Sequence, residues 1–217
     1  MKVLSLGWGV QSWAIAAMVA LGELESIDVA IHADTTHERT DTYAHAAKWT
    51  PWLREHGVRV VTVQGNDFRL GQGGVVDIPA FTHNGREAGQ LRRLCTYDWK
   101  IAPIRRWLQA HRKRKPVEMW LGISTDEALR MKPSNVKYIT HRWPLIEKHV
   151  SREYCMSWLQ EHNLDIPPRS ACVFCPYHST REWQAIKAGS NGDWQNAVQV
   201  DEQIRKVRPP HDLFVHP

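Results

Sequence analysis

The sequence predicts an α/β fold, a parallel twisted sheet flanked by helices, followed by a C-terminal segment of helices and loops that carries cysteines. Three observations predict it. Short β-branched runs alternate with helical patterns through the first half of the chain. A glycine-rich turn joins the first strand to the first helix. The length, 217 residues with 42% hydrophobic side chains, suits one large domain or one domain with a small appendage. The expected division is an α/β domain over 1–150 and a cysteine-bearing segment packed on it over 151–217.

The elements follow in order. Lys2–Ser5 reads as a strand, and an Ala-rich helix runs from about Ser12 to Leu21. Asp28–Ala33 is the second strand. Thr40–His56 has apolar residues at helical spacing, with Pro51 placed to kink or split it. Arg59–Val63 is strongly β-branched and forms the third strand. Residues Gly65 to Gly89 are polar and glycine-rich, which predicts a long loop, a candidate lid. A helix follows Thr96, then a buried strand over Val117–Ile123. A short helix spans Ser151–His162 with Ser151 as its N-cap. The tail is helical from Thr180 and ends at Pro209-Pro210.

No run of about 18 or more apolar residues is present, so no transmembrane helix is expected. The N-terminus lacks the pattern of a signal peptide, and the expected location is the cytoplasm. The net charge is +5, which favours phosphate-bearing partners. The cations crowd one segment: Arg92, Arg93, Lys100, Arg105, Arg106, Arg112, Lys113, Arg114 and Lys115. A solvated helix face and a phosphate or nucleic-acid surface are both open readings of it. Four cysteines in a reducing compartment favour metal or redox chemistry over disulfides.

The turn Ser5-Leu6-Gly7-Trp8-Gly9-Val10-Gln11-Ser12 leads from strand to helix. Backbone N–H groups and the helix dipole make such a turn an anion site, and glycine lets a phosphate approach the backbone closely. A dinucleotide fingerprint competes, because Gly7 and Gly9 match it, Ser12 stands for its third glycine, and Asp34 ends the second strand. A Walker loop does not, since no Gly-Lys-Ser/Thr follows. With serines at both ends, the turn resembles the pyrophosphate loop of the adenine nucleotide α-hydrolase (PP-loop ATPase) superfamily, and within it the phosphoadenosine phosphosulfate (PAPS) reductase-like proteins of bacteria and phages. Leu6 and Gln11 depart from that family's Ser-Gly-Gly-x-Asp-Ser.

Three further stretches carry the resemblance. Asp34-Thr35-Thr36-His37-Glu38 is similar to the segment that lies across the adenosine in the reductase branch, with Thr36 where glycine is usual. Leu94-Cys95 through Lys100 to Pro103 resembles the Cys-x-x-x-x-Lys-x-x-Pro of sulfonucleotide reductases and of the DNA phosphorothioation sulfurtransferase (DndC). Gly122-Ile123-Ser124-Thr125-Asp126-Glu127-Ala128-Leu129-Arg130 resembles the family's Gly-x-Arg-x-x-Glu-Ser-x-x-Arg, with Ser124 in place of the first arginine; a capped helix start reads equally well.

The resemblance implies a HUP-type fold with an adenine nucleotide on Ser5, Gly7, Gly9, Gln11, Ser12, Asp34, Gly122, Ser124, Glu127 and Arg130. It implies Mg²⁺, catalytic roles for Lys100, Arg93 and Asp34, and a [4Fe–4S] cluster on Cys95 and the Cys172–Cys175 pair. The chain has one further cysteine, Cys155, to complete a set of four. The cations Arg92, Arg93, Lys100 and Arg169 are expected to favour thiolates. Zinc on the same cysteines, or on three of them with His178, stays open.

The implied activity is ATP cleavage between the α- and β-phosphates, adenylation of an acceptor, and replacement of AMP by sulfur. DNA, tRNA and a small nucleotide all suit as acceptor, and a homo-oligomer is open. Reduction of PAPS or APS is the alternative within the family. It needs a nucleophilic cysteine, none follows Cys175, and only Cys155 would be left for the role. A non-enzymatic, zinc-containing nucleic-acid-binding module is the alternative outside it.

Overall fold

The computed structural model describes residues 1–65 and 68–216. They divide into two compact units, and the chain passes between them more than once. The first holds Met1–Ala33, Asp41–Val63 and Ile104–Ser170; the second holds Asp34–Thr40, Gln64–Pro103 and Ala171–Pro217.

The first unit is built on a five-stranded sheet. Its strands are β1 (Lys2–Ser5), β2 (Val29–Asp34), β3 (Val60–Gln64), β6 (Val117–Trp120) and β7 (Ile139–Arg142), in the order β3-β2-β1-β6-β7. β1 pairs in parallel with β2 and β6, and β6 in parallel with β7. Period-2 alternation decides what each face buries. Val3, Val29, Ile31, Val117 and Met119 pack with Ile104 and Leu108 of α3 (Ala102–His111). Leu4, Ala30 and Trp120 turn the other way. They meet α1 (Val10–Ala20), α2 (Thr40–Glu55) and α5 (Arg152–Glu161). α1 is buried nearly all round, and Ala14, Ala16 and Ala17 keep it narrow enough to lie under α5. α2 is not split at Pro51. Thr50 Oγ1 donates to the Ala46 carbonyl at 2.7 Å beside the missing N–H. α4 (Pro144–Glu147) precedes α5, and Ser151 caps α5 as expected, its hydroxyl accepting from Tyr154 N at 3.1 Å.

The second unit corrects the expectation of a long loop over Gly65–Gly89. Within that stretch β4 (Phe81–His83) and β5 (Ala88–Gln90) pair antiparallel, and β8 (Asp212–Phe214) completes a three-stranded sheet in the order β5-β4-β8. Leu70, Val76, Ile78 and Ala80 are buried with α6 (Thr180–Ala188) and α7 (Asp193–Ile204). A segment so anchored is structure rather than a lid. Asn66 and Asp67 lie outside the described residues. No helix among the described residues is long and apolar enough to cross a membrane.

Candidate functional site: a phosphate loop and a cysteine group

In the first unit, β1 ends at Ser5, which is half-buried, and runs into the glycine turn. Ser12 closes that turn from inside. Its Oγ accepts from Gly7 N and donates to the Gly9 carbonyl, both at 3.2 Å. Trp8, between the glycines, has φ of 56° and is 1% exposed. A bulky residue in the left-handed region is strained. The burial of its indole against Trp13 and His45, ring centroids 5.9 Å away in each case, offsets that cost and pins the loop. Gly9 caps α1 without a side chain, so the first N–H groups of this helix remain available to an anion.

Gly122, just past β6, backs the loop. A Cβ there would lie 2.8 Å from Ser12 N and 3.0 Å from Ser12 Cα, so only glycine lets the two backbones meet. Beyond it, Ser124 is fully buried. Gln11 Nε2 donates to Ser124 Oγ at 3.3 Å and to Glu127 Oε2 at 3.2 Å. Arg130 Nη1 holds the other Glu127 oxygen at 2.6 Å. Gln11 is therefore tied to a carboxylate supplied by another segment.

The second unit carries the other expected residues except Cys155. Asp34 accepts from Thr36 N at 2.7 Å and from Gln64 Nε2 at 2.9 Å. Thr36 has φ of 58°, in the left-handed region that favours glycine. Glu38 is 4% exposed and forms a β-bridge with Cys172. Lys100 Nζ lies 3.0 Å from Glu38 Oε1. Burial acts to lower the Lys100 pKa, but Glu38, Cys172 and Cys95 act the other way and hold it above the ordinary lysine value. Glu38 was not singled out from the sequence, although it follows Asp34 by one helical turn's spacing.

Cys95, Cys172 and Cys175 are all partly exposed and act on one another electrostatically: Cys95 with Cys175, and Cys172 with Cys175. Burial raises the Cys95 pKa, against Arg93, which also hydrogen-bonds the thiol. Burial and then Glu38 push Cys172 up to about 12, against Lys100 and the Thr35 hydroxyl, whose Oγ1 is 3.3 Å from Cys172 Sγ. The expectation that nearby cations favour thiolates is thus corrected for these two, because desolvation outweighs the cations. Arg93 itself is exposed, its guanidinium 5.4 Å from the Tyr177 ring centre.

Asp77 and Trp99 were not anticipated. The Asp77 carbonyl accepts from both Leu94 N and Cys95 N at 2.9 Å. Its fully buried carboxylate accepts from Trp99 Nε1 at 3.0 Å and meets Arg69 Nη2 at 2.9 Å. Trp99 and Lys100 lie on a π-helical turn, Thr96–Ile101, a geometry common at functional sites.

Cys155 is placed differently. It belongs to the first unit and has no exposed surface, and it packs in the core with Trp158 and Leu159. Burial and then Asp126 push its pKa up to about 12. His178 spends Nε2 on the Cys172 carbonyl, at 2.9 Å, so it closes the cysteine turn. Among the described residues, no group of three or more His, Cys, Asp or Glu is arranged to hold a single metal ion.

The architecture has solved counterparts. The PAPS reductase from Candida auris, solved with phosphate, superposes with a TM-score of 0.54 over 89% of this chain and 81% of that one, at 13% identity. The chain has the PAPS reductase fold. This bears out, at the level of the fold, the α/β class and the resemblance to the PAPS reductase-like branch. The U34-tRNA thiolase NcsA from Methanococcus maripaludis, which carries a [4Fe–4S] cluster, matches with a TM-score of 0.49 and 14% identity. That match covers 96% of this chain and 66% of the thiolase. No protein-family model and no curated protein matches the sequence.

Proposed function

We propose that this chain is an ATP-dependent, pyrophosphate-releasing enzyme of nucleotide or nucleic-acid sulfur chemistry, of the sulfurtransferase type. The observation that supports it most is the gathering of Cys95, Cys172 and Cys175 with Lys100 and Glu38 in one unit of a chain with the PAPS reductase fold.

In this reading an acceptor oxygen attacks the α-phosphorus of ATP. The bond from that phosphorus to the bridging oxygen breaks, pyrophosphate leaves, and AMP remains on the acceptor. A sulfur nucleophile at the sulfide level then displaces AMP. The Gly7–Ser12 amides and the α1 N-terminus hold phosphate oxygens, with Gly122 keeping the loop closed against the sheet. Asp34 is suited to a ribose hydroxyl, and Glu127 would be the carboxylate to hold Mg²⁺, since Gln11 offers none. Lys100 and Arg93 neutralise developing charge.

Cys95, Cys172 and Cys175 would hold a [4Fe–4S] cluster as a three-cysteine attachment: the three residues share one unit, each is partly exposed, and Cys175 acts electrostatically on both of the others. Such a cluster, when bound, supplies a place to carry or deliver sulfur. Cys155 is left out of this set. Its placement also speaks against PAPS or APS reduction, since a thiol with no exposed surface, packed in the core with Trp158 and Leu159, is closed to a substrate.

The test is release of pyrophosphate, as distinct from phosphate, from ATP by anaerobically purified protein. Ser12→Ala and Lys100→Ala should each lower it about tenfold or more. Absence of pyrophosphate release with every acceptor class, DNA, tRNA and nucleotide, contradicts the reading.

A further inference from the structure

The phosphate loop lies where β1 ends. The opposite edge of the same sheet, where β1, β6 and β7 begin, carries a charge pattern that the nucleotide site does not use. Arg112 to Lys115 form a tight turn between α3 and β6, closed by Lys115 N donating to the Arg112 carbonyl at 2.8 Å. Lys113 and Arg114 occupy its central positions with φ of 48° and 61°. Two successive positive φ values are the mark of a type I′ turn, which asparagine and glycine fill without strain and lysine and arginine do not.

The charges there are unneutralised. Lys113, Arg114, Lys115 and Lys137 are exposed, and among the described residues none pairs with a carboxylate. The parallel register brings them together. Val117 pairs with Ile139, so Lys115 and Lys137, each two residues before its strand, begin neighbouring strands. Arg112 fastens the turn, its guanidinium 4.1 Å from the Tyr138 ring centre and Nη1 donating to the Lys115 carbonyl at 3.0 Å. Asp28, at the start of β2, is engaged by Lys2 N at 2.6 Å. The α3 dipole explains a cation or two past its C-terminus. It does not explain cations on the residues that bear the strain, nor Lys137 on another segment.

We propose that this edge binds the phosphate backbone of a nucleic acid. A small phosphate would meet only part of the row. A polymer explains its extent, and the four residues of β6 set it about 13 Å of strand from the nucleotide end of the sheet. The turn displays no apolar side chain for a membrane to take up. This proposal goes beyond the reaction proposed above and does not depend on it.

The test is the variant Lys113→Asn/Arg114→Gly, which removes two charges and installs the residues a type I′ turn prefers. Binding to labelled duplex DNA and to bulk tRNA is measured without ATP across a salt series, so the outcome is independent of pyrophosphate release. The proposal expects wild-type binding that weakens with salt. In the variant it expects affinity at least about tenfold lower, a log–log salt slope shallower by about 2, and an equal or higher Tm. Unchanged affinity and slope would overturn it. So would binding to phosphatidylserine vesicles without binding to either nucleic acid.

Discussion

Gln11 Nε2 sits 3.2 Å from Glu127 Oε2, and Arg130 holds the opposite oxygen of that carboxylate at 2.6 Å. An amide opposite a carboxylate is a hydrogen bond; an aspartate there would be a like-charge pair. Gln11→Asp should therefore lower stability by about 1 kcal/mol or more and weaken ATP binding. Gln11→Asp/Glu127→Gln, which exchanges the two roles, should recover most of both. Thermal unfolding and ATP titration of the four members of this cycle check it, and a fully stable, fully active single variant would count against the arrangement.

Gly122 separates a packing requirement from a chemical one. Gly122→Ala places a Cβ 2.8 Å from Ser12 N, and the neighbour is backbone that cannot swing aside. The expected loss is about 1–3 kcal/mol of stability, the range for overpacking. ATP affinity should fall with it, because the loop must shift. Denaturant unfolding with and without ATP measures both effects.

His45 gives the first unit a pH dependence. It is 7% exposed among tryptophans, and burial pushes its pKa down to about 4, against the pull of Asp165. The unfolded chain takes up a proton there near pH 6.5, the folded chain only near pH 4. Between these values the unfolded state binds more protons, so stability falls as pH drops, by up to about 3 kcal/mol below pH 4. Above pH 6.5 this group contributes no slope. His45→Phe should flatten the fall, and Tm against pH for the two proteins decides.

Much of the first unit was legible because its signals are local. Val3 and Leu4, or Val29 to Ile31, alternate along single strands, and the glycine turn and the Ser151 cap need no distant partner. The second sheet was not, because β4 and β5 are three residues each and β4 is held by β8 from the far end of the chain. The polar edge strand β7 escaped for a related reason, since Thr-His-Arg has no apolar alternation. Cysteine chemistry was legible as a motif and illegible as an environment: neighbouring cations show in the sequence, desolvation does not. For Cys155 a signal existed. It lies three and four residues before Trp158 and Leu159, the stripe by which α5 faces the core.

The central claim is that three cysteines, and not Cys155, hold an iron–sulfur cluster in an ATP-using enzyme. Iron content and visible absorption, measured anaerobically on the wild type and on four single Cys→Ala variants, test it most directly. The account predicts brown wild-type protein, loss of colour and iron in Cys95→Ala, Cys172→Ala and Cys175→Ala, and retention of both in Cys155→Ala at some cost in stability. Colourless wild-type protein containing one equivalent of zinc would contradict it.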